Sequence, residues 1–159
     1  MSHFEQFGVG REALDRVMAA ALSRGATDCD LYFEHSVVSS VSLSDRKVNR
    51  AGTHVDLGLG VRARNGDAIG YAFTEDLSIE AMVRAAKTAA EIASSKPSRT
   101  PVDLQSLDLP SYYPVQQPWG GVGMEKRVPM VRAWEERAFN GDDRIEKVQV
   151  HLVDAEKWI

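Results

Sequence analysis

The stretch GLGVRARNGDAIGYAFTEDLS, residues 58–78, decides how the rest of the chain is read. Alternating glycines followed by basic residues invite comparison with a phosphate-cradling loop, which needs a strand before it and a helix N-terminus facing the phosphate. Here Gly58, Gly60, Val61 and Arg62 continue a run of strand formers, and no Gly-Lys-Ser/Thr comes after them. The next residues are instead Asn65-Gly66, a pair that favours a two-residue hairpin turn because both residues tolerate positive φ. With these as the central turn residues, Arg64 pairs with Asp67, Arg62 with Ile69, Gly60 with Tyr71 and Gly58 with Phe73. Alternate strand residues share a face. Leu57, Leu59, Val61 and Ala63 therefore join Ala68, Gly70 and Ala72 on one side, and Tyr71 and Phe73 lie across from glycine on the other. Ser78 closes the stretch as a helix N-cap, with Glu80 in the first turn and Leu77 and Met82 at the spacing of a hydrophobic staple.

Working outward, REALDRVMAAALSRG places Ala13, Leu14, Val17, Met18, Ala21 and Leu22 at helical spacing, predicting a helix from Arg11 to Arg24 stopped by Gly25. CDLYFEHS and VVSSVSLSD predict two strands, and a third runs from the Asp45-Arg46 turn to Arg64. Beyond Ser78 a helix carries an apolar stripe of Met82, Ala85, Ala86, Ala89, Ile92 and Ala93, mostly alanine and suited to close approach to a sheet. The expected fold class is α+β: an antiparallel meander containing the Asn-Gly hairpin, flanked by helices. Five of the six prolines fall between residues 94 and 123. This divides the chain into a domain at 1–95, a connection at 96–123 and the start of a second module at 124–159. In that module Met124, Val128, Val131, Ala133, Trp134, Ala138 and Phe139 have helical spacing. Pro129 sits either in the first turn of a short helix or inside a longer one from Met124. Val148, Val150 and Leu152 alternate as a strand, DAEK at 154–157 reads as a turn, and the return arm stopping at Ile159 has the look of a chain cut short.

The 159 residues carry 19 basic and 23 acidic side chains, a net charge of −4, which disfavours direct nucleic-acid binding. No apolar run is long enough for a membrane helix, and no signal peptide opens the chain, so a cytoplasmic location is expected. The single cysteine, Cys29, forms no internal disulfide and reads as a buried, inert thiol. His3, His35, His54 and His151 are scattered, and His35 and His54, on neighbouring expected strands, could meet, as could almost any two polar residues of a meander. Asp28 and Asp30 read as turn chemistry, and Glu135-Glu136 and Asp142-Asp143 as solvated helix face and loop. GGVG at 120–123 precedes a helix but lacks the strand a nucleotide loop needs. Arg62 and Arg64 are candidate contacts for a peptide or partner, against the plainer reading of a basic edge opposed by Asp67. No complete catalytic centre is present.

The order of helix, Asp30-Leu31-Tyr32, Val38 to Leu43, Gly58 to Arg62, Gly70 to Thr74 and the Ala-rich helix Ala81 to Ala93 resembles the opening of the TldD/PmbA family, once labelled modulators of DNA gyrase. Tyr113-Pro114, Pro118 and the run Asp142 to Ile145 extend the resemblance, and DLYF with GVRA looks more like TldD than PmbA. The resemblance makes Gly58, Gly60, Val61, Arg62, Asn65, Gly66, Tyr71 and Phe73 a structural signature. It implies a cytoplasmic zinc metallopeptidase that cleaves unstructured peptides as a homodimer or as a TldD with TldE/PmbA heterodimer. The family's zinc ligands, an HExxxH helix and a later cysteine, belong to a C-terminal part, and neither occurs here. The resemblance therefore implies no catalytic residue, metal ligand or cofactor within this chain, and a role as cavity wall and scaffold. The alternative is a stand-alone, non-catalytic interaction module or a PmbA/TldE-like partner subunit.

Overall fold

Strand-forming residues on either side of Asp45-Arg46 fold as one long hairpin, β1 (Asp28–Ser44) and β2 (Lys47–Asn65). The structure is a computed structural model that describes residues 3–94 and 114–159 together with Gln105, Leu107 and Pro110. Two strands thus stand where three were expected, because nothing between Ser36 and Val37 breaks the chain and the serines fit a ladder. Ser39, for example, shares a hydrogen bond with Thr53 across the strands at 3.1 Å. At the turn, Asp45 (φ 53°) and Arg46 (φ 62°) both lie in the left-handed region, the pattern of a type I′ turn. That conformation costs a residue with a Cβ about 1–2 kcal/mol. Helix α3 (Met124–Phe139) offsets it: the Arg46 amide donates to the Glu135 carboxylate at 3.0 Å, and its guanidinium lies 5.1 Å from the Phe139 ring centre.

The hairpin between β2 and β3 (Ala68–Thr74) differs from expectation by two residues. Asn65 pairs with Ala68, so Gly66 and Asp67 are central, with Arg64 opposite Ile69, Arg62 opposite Tyr71 and Gly60 opposite Phe73. Of the two turn residues only Gly66 has positive φ (59°), which is the type II′ pattern with glycine first. A slip of two keeps the parity, so the expected faces survive. Leu59, Val61, Ala63 and Gly70 are buried, and Tyr71 and Phe73 are 59% and 72% exposed. The antiparallel sheet has the order β3-β2-β1-β4, with β4 at Gln149–Trp158.

By contact density the chain divides into two compact units that are not consecutive in sequence. One comprises residues 1–35, 56–109 and 158–159, the other 36–55 and 110–157. Both long strands run from one unit into the other, and most of the first part of the connection expected at 96–123, residues 96–113, lies outside the described residues.

In the first unit α1 (Arg11–Ala21) and α2 (Ile79–Ile92) cover the inner face, with Val17, Ala21, Leu59, Val61, Met82 and Ala86 at its centre. The first helix ends three residues short of the expected Arg24, and Gly25 follows at φ 91°. Ser78 caps the second through its hydroxyl, which accepts from the Ala81 amide at 3.4 Å, and Leu77 and Met82 share the core. Ile92, expected in the stripe, is exposed. A Cβ placed on Gly70 would collide with the Ala89 carbonyl and come within 2.8 Å of the Ala93 amide nitrogen. The helix backbone therefore rests directly on β3.

The second unit packs Val41, Leu43 and Val131 with Val48, Met124, Val128, Val150 and Leu152. Its helix starts at Met124 and contains Pro129, which removes one intrahelical hydrogen bond. The buried face of α3 is Arg127, Val131 and Glu135, so Ala133 and Trp134, expected inside, are exposed. β4 runs unbroken through DAEK, with alternate residues Val150, Leu152, Asp154, Glu156 and Trp158 turned inward.

Gly70→Ala should lower stability by about 1–3 kcal/mol, the usual cost of overpacking against a backbone that cannot rotate away. Gly60→Ala meets only the Tyr71 ring, 2.6 Å from its hydroxyl, and that exposed side chain can swing clear. Urea melts of the two variants should show a clear loss for the first and a small change for the second.

Candidate functional site

Three places gather chemistry-bearing side chains. On the outer face of the first unit, Arg62 donates to Asp30 at 2.7 Å, and Arg64 holds Asp28 with two parallel bonds of 3.0 Å. The guanidiniums are thus opposed by Asp30 and Asp28 on β1, not by Asp67. The Arg64 hydrogen bond is the main reason the Asp28 carboxyl titrates below its ordinary range. Tyr71 and Phe73 on β3 and Tyr32 on β1, whose hydroxyl donates to Glu34 at 3.0 Å, share this face. Of the signature residues, Gly60, Arg62, Tyr71 and Phe73 lie together here, Val61 is fully buried beneath, Gly58 lies against the Thr74 carbonyl, and Asn65 and Gly66 shape the turn.

Also within the first unit, His3 Nε2 and His35 Nδ1 are 2.8 Å apart. The His3 ring stacks on Trp158 at 4.3 Å with 3° between planes, His35 stacks on the same indole at 5.1 Å, and Phe7 meets both imidazoles edge-on. Partial burial, and next the neighbouring His35, lower the His3 pKa. The partner of His35 is thus His3, which its sequence distance gave no reason to single out. Cys29 is half-buried against the core, and burial, then Asp30 and Asp28, raise its pKa, so the thiol is poorly activated. Among the described residues no three His, Cys, Asp or Glu side chains come together as a metal site.

In the second unit a half-open cleft of about 260 Å³ is lined by Ser39, Thr53, Trp119, Met124, Arg127 and Glu156, among others. Its floor is a buried ion pair. Arg127 Nε and Nη2 bond the two Asp154 oxygens at 2.8 Å each, with side-chain exposures of 6% and 5%. Nη2 also donates to the Trp119 carbonyl at 3.1 Å, and the guanidinium lies 5.8 Å from that indole's ring centre. The Gly120 amide donates to Glu156 Oε1 at 3.2 Å. The turn expected at DAEK conceals this group from a reading of the sequence. The signal is nevertheless present: Arg127 occupies an α3 stripe position between Met124 and Val131, and Asp154 keeps the inward register of Val150 and Leu152. Glu135, expected on a solvated face, is likewise buried and bonded, whereas Asp142 is held down to about 2 by its bonds from Arg144.

An antiparallel sheet with helices defines an α+β protein, and solved structures share that fold. One is a candidate modulator of DNA gyrase from Bacteroides thetaiotaomicron, with TM-score 0.66 and 20% identity over 92% of this chain and 35% of that one. Another is TldE from Thermococcus kodakarensis, with TM-score 0.60 and 16% identity over 92% of this chain and 33% of that one. Residues 29–93 match the family model described as PmbA/TldA metallopeptidase domain 1. A metalloprotease TldD homolog from Buchnera aphidicola is 25% identical over 92% of this chain, and one from Haemophilus influenzae is 26% identical over 77%. Over residues 29–93 this chain is similar to the first domain of the PmbA/TldD family. It spans 30% and 26% of the length of those two relatives. No helix of the described residues is long and apolar enough to cross a membrane.

Two measurements test these sites. A depressed His3 pKa means the unfolded state binds more protons just below the ordinary histidine value, so this stabilisation is complete above about pH 6.5 and is lost as pH falls through the lowered folded value. Thermal melts should therefore drop between neutral and mildly acidic pH, and His3→Gln should flatten that slope. Asp154→Asn, which leaves Arg127 buried without its counter-charge, should cost about 3–5 kcal/mol in urea unfolding.

Proposed function

We propose that this chain is the N-terminal part of a TldD-type zinc metallopeptidase that degrades or matures unstructured peptides in the cytoplasm. In this reading it contributes scaffold and cavity wall while zinc is held by a C-terminal part outside these residues. The observation that carries the reading is the alignment of 92% of this chain with only 30% of a metalloprotease TldD homolog. The partner in this proposal is a TldE/PmbA-type subunit or a second copy. The edge position of β3 supports capture of an extended peptide by strand addition, which is sequence-tolerant because main-chain groups supply the bonds. Arg62 and Arg64, next to that edge on β2, are its proposed contacts, with their present aspartate partners as competitors. A second reading, a non-catalytic TldE-like subunit, is favoured by the fold likeness to TldE.

With added zinc, the 159-residue polypeptide should leave an unstructured peptide uncut. A longer product containing it, together with its partner, should cut the peptide and lose that activity to a chelator. Chelator-sensitive cleavage by the 159 residues alone would overturn the assignment of zinc to another part. A longer product that stays inactive until a separate catalytic subunit is added would favour the TldE-like reading.

A further inference from the structure

The cleft of the second unit has an unbalanced charge. Its floor pair, Arg127 and Asp154, is mutually satisfied, and the guanidinium also serves the Trp119 carbonyl, so little of it is left to offer an anion. The remaining ionic group is Glu156, half-buried at the rim. Its described partner is the uncharged Gly120 amide, and no basic side chain among the described residues pairs with it. One positive and two negative groups leave the cleft at −1. A partly desolvated carboxylate without a counter-charge is the element that a bound cation completes.

The other walls fit the same ligand. Trp119, 37% exposed, has the Arg127 guanidinium 5.8 Å from its ring centre, and its exposed indole surface offers apolar contact for an alkyl chain. Val37, Val122 and Met124 supply apolar wall, and the Ser39 and Thr53 hydroxyls add acceptors. The volume of about 260 Å³ falls just under the range of about 300–1,000 Å³ found for whole small-molecule sites, which suits a single side chain. The buried ion pair explains how the rim is held: Arg127 ties the Trp119 carbonyl to Asp154, and Glu156, two residues further along the same face of β4, takes the next amide of that turn.

We propose that this cleft binds one lysine side chain of a peptide, its ammonium on Glu156 and its alkyl chain against Trp119 and Met124. Binding here needs no metal and no peptidase activity, and it is measured on the 159-residue chain itself. Titration with acetyl-Ala-Lys-Ala-amide, followed by NMR at the Gly120 amide and the Trp119 indole N–H, should give saturable shifts. The norleucine peptide, equal in alkyl length and uncharged, should bind about tenfold more weakly. Glu156→Gln, which keeps an oxygen for the Gly120 amide, should weaken the lysine peptide by a similar factor and leave the norleucine peptide unchanged, and added salt should weaken the lysine peptide alone. Equal binding of the two peptides, an unaffected Glu156→Gln variant, or shifts that never saturate would each overturn the proposal. So would tighter binding of Ala-Ala-Ala-amide, whose only ammonium is its amino terminus.

Discussion

In the first unit every other feature depends on the contact of one helix backbone with one strand at Gly70. Because the strand offers no side chain there, the Ala89 carbonyl can lie against it, and the helix meets the core through the small side chains of Ala85, Ala86 and Ala89, with Ala93 just beyond its end. Dispersion and area burial from many small contacts replace the few large ones of an ordinary core. The consequence reaches the opposite face. With the inner side of β3 taken up by α2, its outer residues Ile69, Tyr71 and Phe73 have no layer above them among the described residues, and an ion-pair ladder on β1 and β2 lies beside the rings.

The second unit solves the same packing problem with charge. Helix α3 turns Arg127 and Glu135 inward on either side of Val131, and each finds a fixed partner: Asp154 on β4, and the strained amide of Arg46 at the β1-β2 turn. A buried pair gives little net stability against an apolar equivalent, but it penalises every arrangement in which one member is left alone. Alanine against glycine tolerates any similar surface. Arg127 against Asp154 accepts one register of helix on strand.

That contrast also explains what is legible in the sequence. Local chemistry can be read: the Ser78 cap, the Leu77 and Met82 staple, the Asp45-Arg46 turn and the in-or-out parity of residues 57–73 depend on near neighbours, and all are found. The hairpin register differs by two because Asn65-Gly66 and Gly66-Asp67 are both acceptable turn pairs, and local turn chemistry does not separate them. DAEK resembles a turn because Asp and Lys disfavour strands on average. Its actual state is set by Arg127, 27 residues away, which no window of local propensity includes. The same distance hides the cleft, and the meeting of His3 with His35 and Trp158 is hidden in the same way.

The parity of the β2-β3 hairpin has an evolutionary corollary. A one-residue change at Gly66-Asp67 that shifted the pairing would exchange inside for outside along the seven residues of β3, turning Tyr71 or Phe73 toward the helix that rests on Gly70. Adding or deleting two leaves both faces as they are. Length changes at this turn should therefore be accepted in even steps, and in odd ones only where a bulge or a longer loop absorbs the extra residue without shifting the pairing.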